Sequence, residues 1–133
     1  MRKLTYLAIL EPSSDGFGVF FPDLPGCISF GSSLAEAQIN AQEALELHIY
    51  GMEKENDTLP NPSQNLPEED TIGNIVCAIS IFPDVVKNEM NNRRVKTNTT
   101  IPAWLKDLAE KQGVNFSKLL ENSLIDYLGL KTP

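Results

Sequence analysis

Histidine occurs once in this chain, at His48, and cysteine twice, at Cys27 and Cys77. A tetrahedral zinc site needs about four nitrogen, sulfur or oxygen ligands, and no CxxC or HxxxH spacing supplies them. The two cysteines stand apart inside apolar runs and are expected as small buried hydrophobes; a disulfide between them could form but is not needed. His48 lacks a Ser, Asp or Glu partner at a spacing suited to general-base work, so a half-buried or interfacial ring is expected. No apolar run approaches the ~18 residues that span a bilayer. The basic start Met1-Arg2-Lys3 meets Glu11, Pro12 and Asp15 too soon for a signal peptide. The expectation is a soluble, cytoplasmic protein with no cofactor, no metal and no membrane contact.

Basic residues are also scarce: 11 Lys and Arg stand against 18 Asp and Glu, a net charge of -7 over 133 residues. Such a chain cannot coat nucleic acid uniformly, because phosphates repel its sum. The deficit is uneven. Residues 1–92 hold 4 basic and 14 acidic side chains, a net of -10, whereas 93–133 hold 7 and 4, a net of +3. That asymmetry points to a nucleic-acid-facing segment at the basic end and to a basic partner for the acidic one. With 41% hydrophobic residues the chain can build a core, and its length suits one domain or a small domain with an appended module.

The front half alternates as strands do. Leu4, Tyr6, Ala8 and Leu10 share one face and Thr5, Leu7 and Ile9 the other; apolar groups on both faces predict a well-covered strand. After the turn Pro12-Ser13-Ser14-Asp15-Gly16, Phe17 to Phe21 forms a second strand. After Pro22-Asp23-Leu24-Pro25-Gly26, Cys27 to Phe30 forms a third. Ser33, three positions before Glu36, has capping-box spacing and opens a helix. Its buried stripe is expected along Leu34, Ala37, Ala41, Ala44 or Leu45, His48 and Met52. Residues 54–73, with Pro60, Pro62, Pro67 and the acidic run Glu68-Glu69-Asp70, are expected to form a long loop, either a functional surface or a packed meander. Ile75 to Phe82 is a fourth, buried strand stopped by Pro83.

Residues 85–92 are polar and linker-like, with a helical turn around Val85-Val86. Arg93 to Ile101 then alternates, with Val95, Thr97, Thr99 and Ile101 on one side and Lys96, Asn98 and Thr100 on the other. Pro102 ends the strand and fits the first position of a helix carrying Trp104, Leu105, Leu108 and Ala109, closed by Gly113. Asn115 caps a second helix, with Phe116 at its start and a stripe of Leu119, Leu120, Ser123, Leu124, Tyr127 and Leu128. One strand and two helices in ~40 residues cannot fill a core, and a lone strand leaves its backbone unpaired. Both problems vanish in a homodimer whose two strands pair antiparallel. Lys96, Asn98 and Thr100 then line a two-stranded ribbon that fits the DNA major groove, where Asn can read adenine and Lys guanine. The N–H groups near Asn115, Phe116 and Ser117 could seat a backbone phosphate. A ribbon that only dimerises is the plainer alternative.

The stretch Arg94-Val95-Lys96-Thr97-Asn98-Thr99-Thr100-Ile101-Pro102, the helix to Gly113 and Asn115-Phe116-Ser117-Lys118 resemble the ribbon-helix-helix repressors. In that family three outward strand residues before the proline read bases, and they match Lys96, Asn98 and Thr100; Arg94 joins them as a DNA contact. Many relatives carry Arg at the position of Phe116. The front motif Asp15-Gly16-Phe17-Gly18-Val19, then Phe21-Pro22-Asp23-Leu24-Pro25-Gly26-Cys27, Gly31, Leu34, Glu36-Ala37 and Ala41-Gln42-Glu43-Ala44, resembles the HicB antitoxin family.

The resemblance implies an α+β protein in three parts. Residues 1–84 would be a partial ribonuclease-H-like β-β-β-α-β domain without nuclease activity, 85–92 a linker, and 93–133 a ribbon-helix-helix module. It implies that the front domain binds and neutralises a HicA toxin, a small basic mRNA interferase, covering its catalytic histidine and RNA surface. It also implies that the back module dimerises and represses its own operon by binding double-stranded operator DNA, with tetramers open to a chain that has two interaction surfaces. No toxin-contacting residue follows from the motif.

Two other readings stay open. Glu11, Asp15, Asp23, Glu36, Asp70 and Asp84 would serve a two-metal nuclease only if several converged at strand ends, whereas most fall in turns, caps or exposed positions. Alternatively, the front domain senses some other protein or small molecule for a ribbon-helix-helix repressor.

Overall fold

The computed structural model describes residues 1–130. Strands β1 (Leu4–Ser13), β2 (Gly16–Phe20) and β3 (Ile28–Gly31) follow one another as antiparallel hairpins before helix α1 (Leu34–Lys54). After the single-turn helix α2 (Glu68–Thr71), β4 (Ile75–Ile81) returns antiparallel to β1, giving the sheet order β3-β2-β1-β4. Helices α3 (Pro83–Asn92), α4 (Ala103–Lys111) and α5 (Phe116–Tyr127) complete an α+β fold. The chain divides into two compact units, one ending at Arg94 and the other beginning at Val95.

The front unit is built on one covered sheet face. Tyr6, Ala8 and Leu10 from β1, Val19 from β2 and Ile79 and Ile81 from β4 meet Ala37, Ala41, Leu45 and Ile49 of α1. The buried helix positions recur every four residues, so the stripe ends on Ile49 while His48, expected within it, is only half-buried. Small side chains at the helix start let it approach closely. A Cβ on Gly31 would lie 2.3 Å from the Ala37 backbone nitrogen, so glycine there sets the helix-to-strand distance. Ser33 Oγ accepts the Glu36 N–H at 3.2 Å, as the capping spacing predicts. The Glu36 carboxylate accepts the Ser32 hydroxyl instead of closing the box on Ser33.

The long segment after α1 is a packed meander held at three points. Leu59 packs on the core, the Pro60 carbonyl accepts the Tyr6 hydroxyl at 2.6 Å, and Ser63 is hydrogen-bonded to Asp23.

Two expectations from the sequence are corrected, the linker at 85–92 and the place of Pro102. Residues 85–92 are no linker but the body of α3, begun by Pro83 at its first turn, with Pro83 and Val86 buried. The Arg2 guanidinium ties this helix to α1, donating to Glu53 at 2.9 Å and to Asp84 at 3.2 Å. Residues 85–92 read as polar because Val86 alone among them is buried. Residues 93–102 are in no ladder within the described chain; the strand expected there is one that a second copy would complete. Pro102 is the N-cap of α4 and not its first residue: its carbonyl accepts the N–H groups of Leu105 and Lys106.

In the back unit α4 closes with a left-handed turn at Gly113 (φ 68°). The Val114 N–H reaches the Ala109 carbonyl at 3.1 Å and the Gly113 N–H the Glu110 carbonyl at 3.0 Å, a Schellman arrangement. Helix α5 ends with the same pair of bonds, Leu130 to Ile125 and Gly129 to Asp126. Positions 131–133, the last of the expected module, lie outside the described residues.

Candidate functional site

The back unit has helices but no interior of its own. No residue of α4 or α5 is buried, and Trp104, Leu105, Leu108, Leu119, Leu120 and Leu124 are all exposed. Thr97, Thr99 and Ile101 line one wall of a groove of about 420 Å³, with Leu105, Ala109, Val114, Phe116 and Leu120 among the rest. The alternation expected from the sequence is therefore present in the backbone, since 97, 99 and 101 turn together toward the helices. Lys96, Asn98 and Thr100 fall on the other parity and are exposed; Arg94 is the last residue of the front unit.

Asn115 is the N-cap of α5, and its Oδ1 accepts the Lys118 N–H at 3.1 Å. Phe116 and Ser117 occupy the first helical positions, where backbone N–H groups have no partner within a helix. Both also line the groove. Ile125 is the half-buried residue of α5 that the expected stripe omits; it accepts the Leu130 N–H that ends the helix. Its signal was its place four residues before the terminal Gly129.

In the front unit the segment from Phe21 to Cys27 makes two successive turns. Leu24 N–H donates to the Phe21 carbonyl, Cys27 N–H to the Leu24 carbonyl, and Phe21 N–H to the Cys27 carbonyl. Phe21, Leu24 and Cys27 thereby enter the core, and Asp23 is left to hold Ser63. Burial pushes the Cys27 thiol up to about 11, so it is a packed side chain and no nucleophile. Burial also raises the Tyr6 hydroxyl, with the Asp23 charge adding to it. Cys77 is half-buried, and its Sγ lies 3.5 Å from the Gln38 amide nitrogen.

Among the described residues no three His, Cys, Asp or Glu side chains are grouped to hold an ion, so the convergence that a metal nuclease requires is not assembled. No helix of the described chain is long and apolar enough to cross a membrane.

The sequence missed the second face of the sheet. The register aligns Ile28, Phe20, Ile9 and Val76 in one row across all four strands, on the side away from α1. Leu7 and Ala78 stand opposite each other in the next row. Apolar residues at odd positions of β1 suggested a covered strand, but of these only Ile9 is buried.

The model of a family described as the HicB-like antitoxin of bacterial toxin-antitoxin systems matches residues 6–122. A protein of Haemophilus phage HP1 (strain HP1c1), described as an uncharacterized product of the rep-hol intergenic region, is 38% identical over 108 residues, 77% of this chain and 76% of that one. A chain of a toxin-antitoxin complex from Streptococcus pneumoniae superposes with a TM-score of 0.60 at 21% identity, covering 95% of this chain and 99% of that one; the likeness is one of fold. The antitoxin HicB3 superposes with a TM-score of 0.50 at 25% identity over 92% and 97% of the two chains.

Proposed function

We propose a function from one premise: the chain belongs to the family of HicB-like antitoxins of bacterial toxin-antitoxin systems. On this reading the front unit captures and silences a HicA-like mRNA interferase, and the back unit dimerises and represses the operon by binding its operator. The observation that carries the proposal is the family match itself, which spans both units.

Charge supports the first half. Residues 1–94 carry 6 basic and 14 acidic side chains, a net of -8, which attracts a basic RNA-cleaving partner and speeds its capture. The front unit is in this view a partial ribonuclease-H-like sheet without the carboxylate set for catalysis, and it acts by covering its partner.

Burial supports the second half. A helix pair with no buried residue and an apolar groove bordered by an alternating segment fits a ribbon-helix-helix half. Pairing of two copies along 95–101 would complete a ladder and cover the groove. Lys96, Asn98 and Thr100 would then enter the major groove from a ribbon, with Arg94 and the N–H groups at Asn115, Phe116 and Ser117 on phosphates. A two-fold dimer calls for a palindromic operator.

Copurification of the tagged full chain with a co-expressed HicA-like protein tests capture. A band shift with DNA from the promoter of the operon tests repression. Failure of the first with success of the second would favour a repressor with a different front-unit ligand.

A further inference from the structure

We propose that the sheet face turned away from α1 is the surface on which the basic toxin docks. The proposal rests on the antitoxin reading above and names its contact surface. Antiparallel sheets that face water on one side alternate apolar with polar residues, and this one does not. Ile28 is 69% exposed, Phe30 48% and Val76 42%, and they frame the half-buried Phe20 and Leu7 on the same side. A contiguous apolar surface of this kind marks a protein interaction site.

Charge selects the occupant. None of the four strands contains a Lys or Arg, so the sheet lacks the cations that usually keep an exposed strand solitary. Its one charged residue is Glu11, level with Gly18 and Phe30 on this face. The Asp15 turn lies at the same end of the sheet, and α2, with Glu68 and Glu69 exposed, leads into β4 there. An apolar centre with an acidic rim at one end matches a partner whose apolar patch is bordered by Lys and Arg. A second copy would bring -8 against -8, with no cation in the four strands to offset it.

The test uses the full chain and, as probe, the HicA-like protein used for copurification. Val76→Glu combined with Phe30→Glu should raise the Kd by at least about tenfold, a loss of ~1.4 kcal/mol, while the circular dichroism spectrum is retained. Ile28→Lys, at the most exposed large apolar residue of the face, should weaken capture in the same direction and guards against a folding defect in the double variant. Ile39→Glu, exposed on α1 in the other layer, should bind as the parent chain does. Unchanged affinity in the sheet variants, or a change only in the chain's own oligomeric mass, would overturn the assignment. A parent chain that does not bind the probe at all would instead bring down the antitoxin reading, and this proposal with it.

Discussion

Asp23 and Ser63, 40 residues apart, are joined twice: the Ser63 N–H donates to one carboxylate oxygen at 2.7 Å and its hydroxyl to the other at 2.6 Å. The pair fastens the meander between α1 and α2 to the turns between β2 and β3. Hydrogen bonds to a charged acceptor contribute ~1.5–3 kcal/mol each in favourable settings, and partial exposure lowers this. Asp23→Ala should cost about 1–3 kcal/mol in urea unfolding, with faster amide exchange around residues 59–63 and little change in the helical signal.

Gly31→Ala should be more damaging than an exposed substitution of the same size. Its added carbon would meet the Ala37 backbone 2.3 Å away, and α1 would have to move. Overpacking against backbone costs about 1–3 kcal/mol or more, read as a lower thermal midpoint; Gly51→Ala, which meets nothing within 4 Å, should leave the midpoint unchanged or raise it.

The carboxyl of Glu46 is raised above its ordinary range, first by burial and then by the negative charges of Glu89 and Glu43. It lines a cleft between α1 and α3 with Glu53, Lys54 and Lys87. A folded-state carboxyl with a raised pKa binds more protons than the unfolded chain does, so its contribution to stability falls as pH rises from about 4.5 through the raised value. Glu46→Gln should therefore raise the thermal midpoint at neutral pH. The difference should shrink as the pH is lowered below 4.5, where the parent carboxyl is protonated in both states.

On the proposed reading, Lys96→Ala and Asn98→Ala should each weaken specific operator binding by ~1–3 kcal/mol, about five- to 150-fold, and leave dimer mass unchanged. Leu105→Asp, on the groove wall, should do the reverse in order: dissociate the dimer first and lose DNA as a consequence. Mass by light scattering and affinity by fluorescence anisotropy separate the two classes.

Much of the front unit was legible because its signals are local. Alternation located β1 and β2, turn residues β3 and an apolar run β4; Ser33 and Glu36 located the start of α1, and Pro83 follows the end of β4. What escaped depended on contacts distant in sequence. Residues 85–92 look like a linker until Val86 is seen packed in the core and Arg2 reaches Asp84. The helix stripe reached Ile49 and not His48 because the positions of α1 buried against the sheet recur every four residues from Ala37. In the back unit the alternation of residues 95–101 was legible, whereas a strand is defined by hydrogen bonds to a neighbour, which the sequence reading assigns to a second copy. The apolar row Ile28, Phe20, Ile9 and Val76 required the register of three strand pairs, which no single segment contains.

Titration of the full-length chain into an RNA-cleavage assay driven by the HicA-like protein tests the central claim most directly. The account predicts that cleavage falls in proportion to added chain and stops at a fixed stoichiometry, with the Lys96→Ala variant inhibiting equally well. Cleavage that persists at large molar excess of the folded parent chain would contradict it.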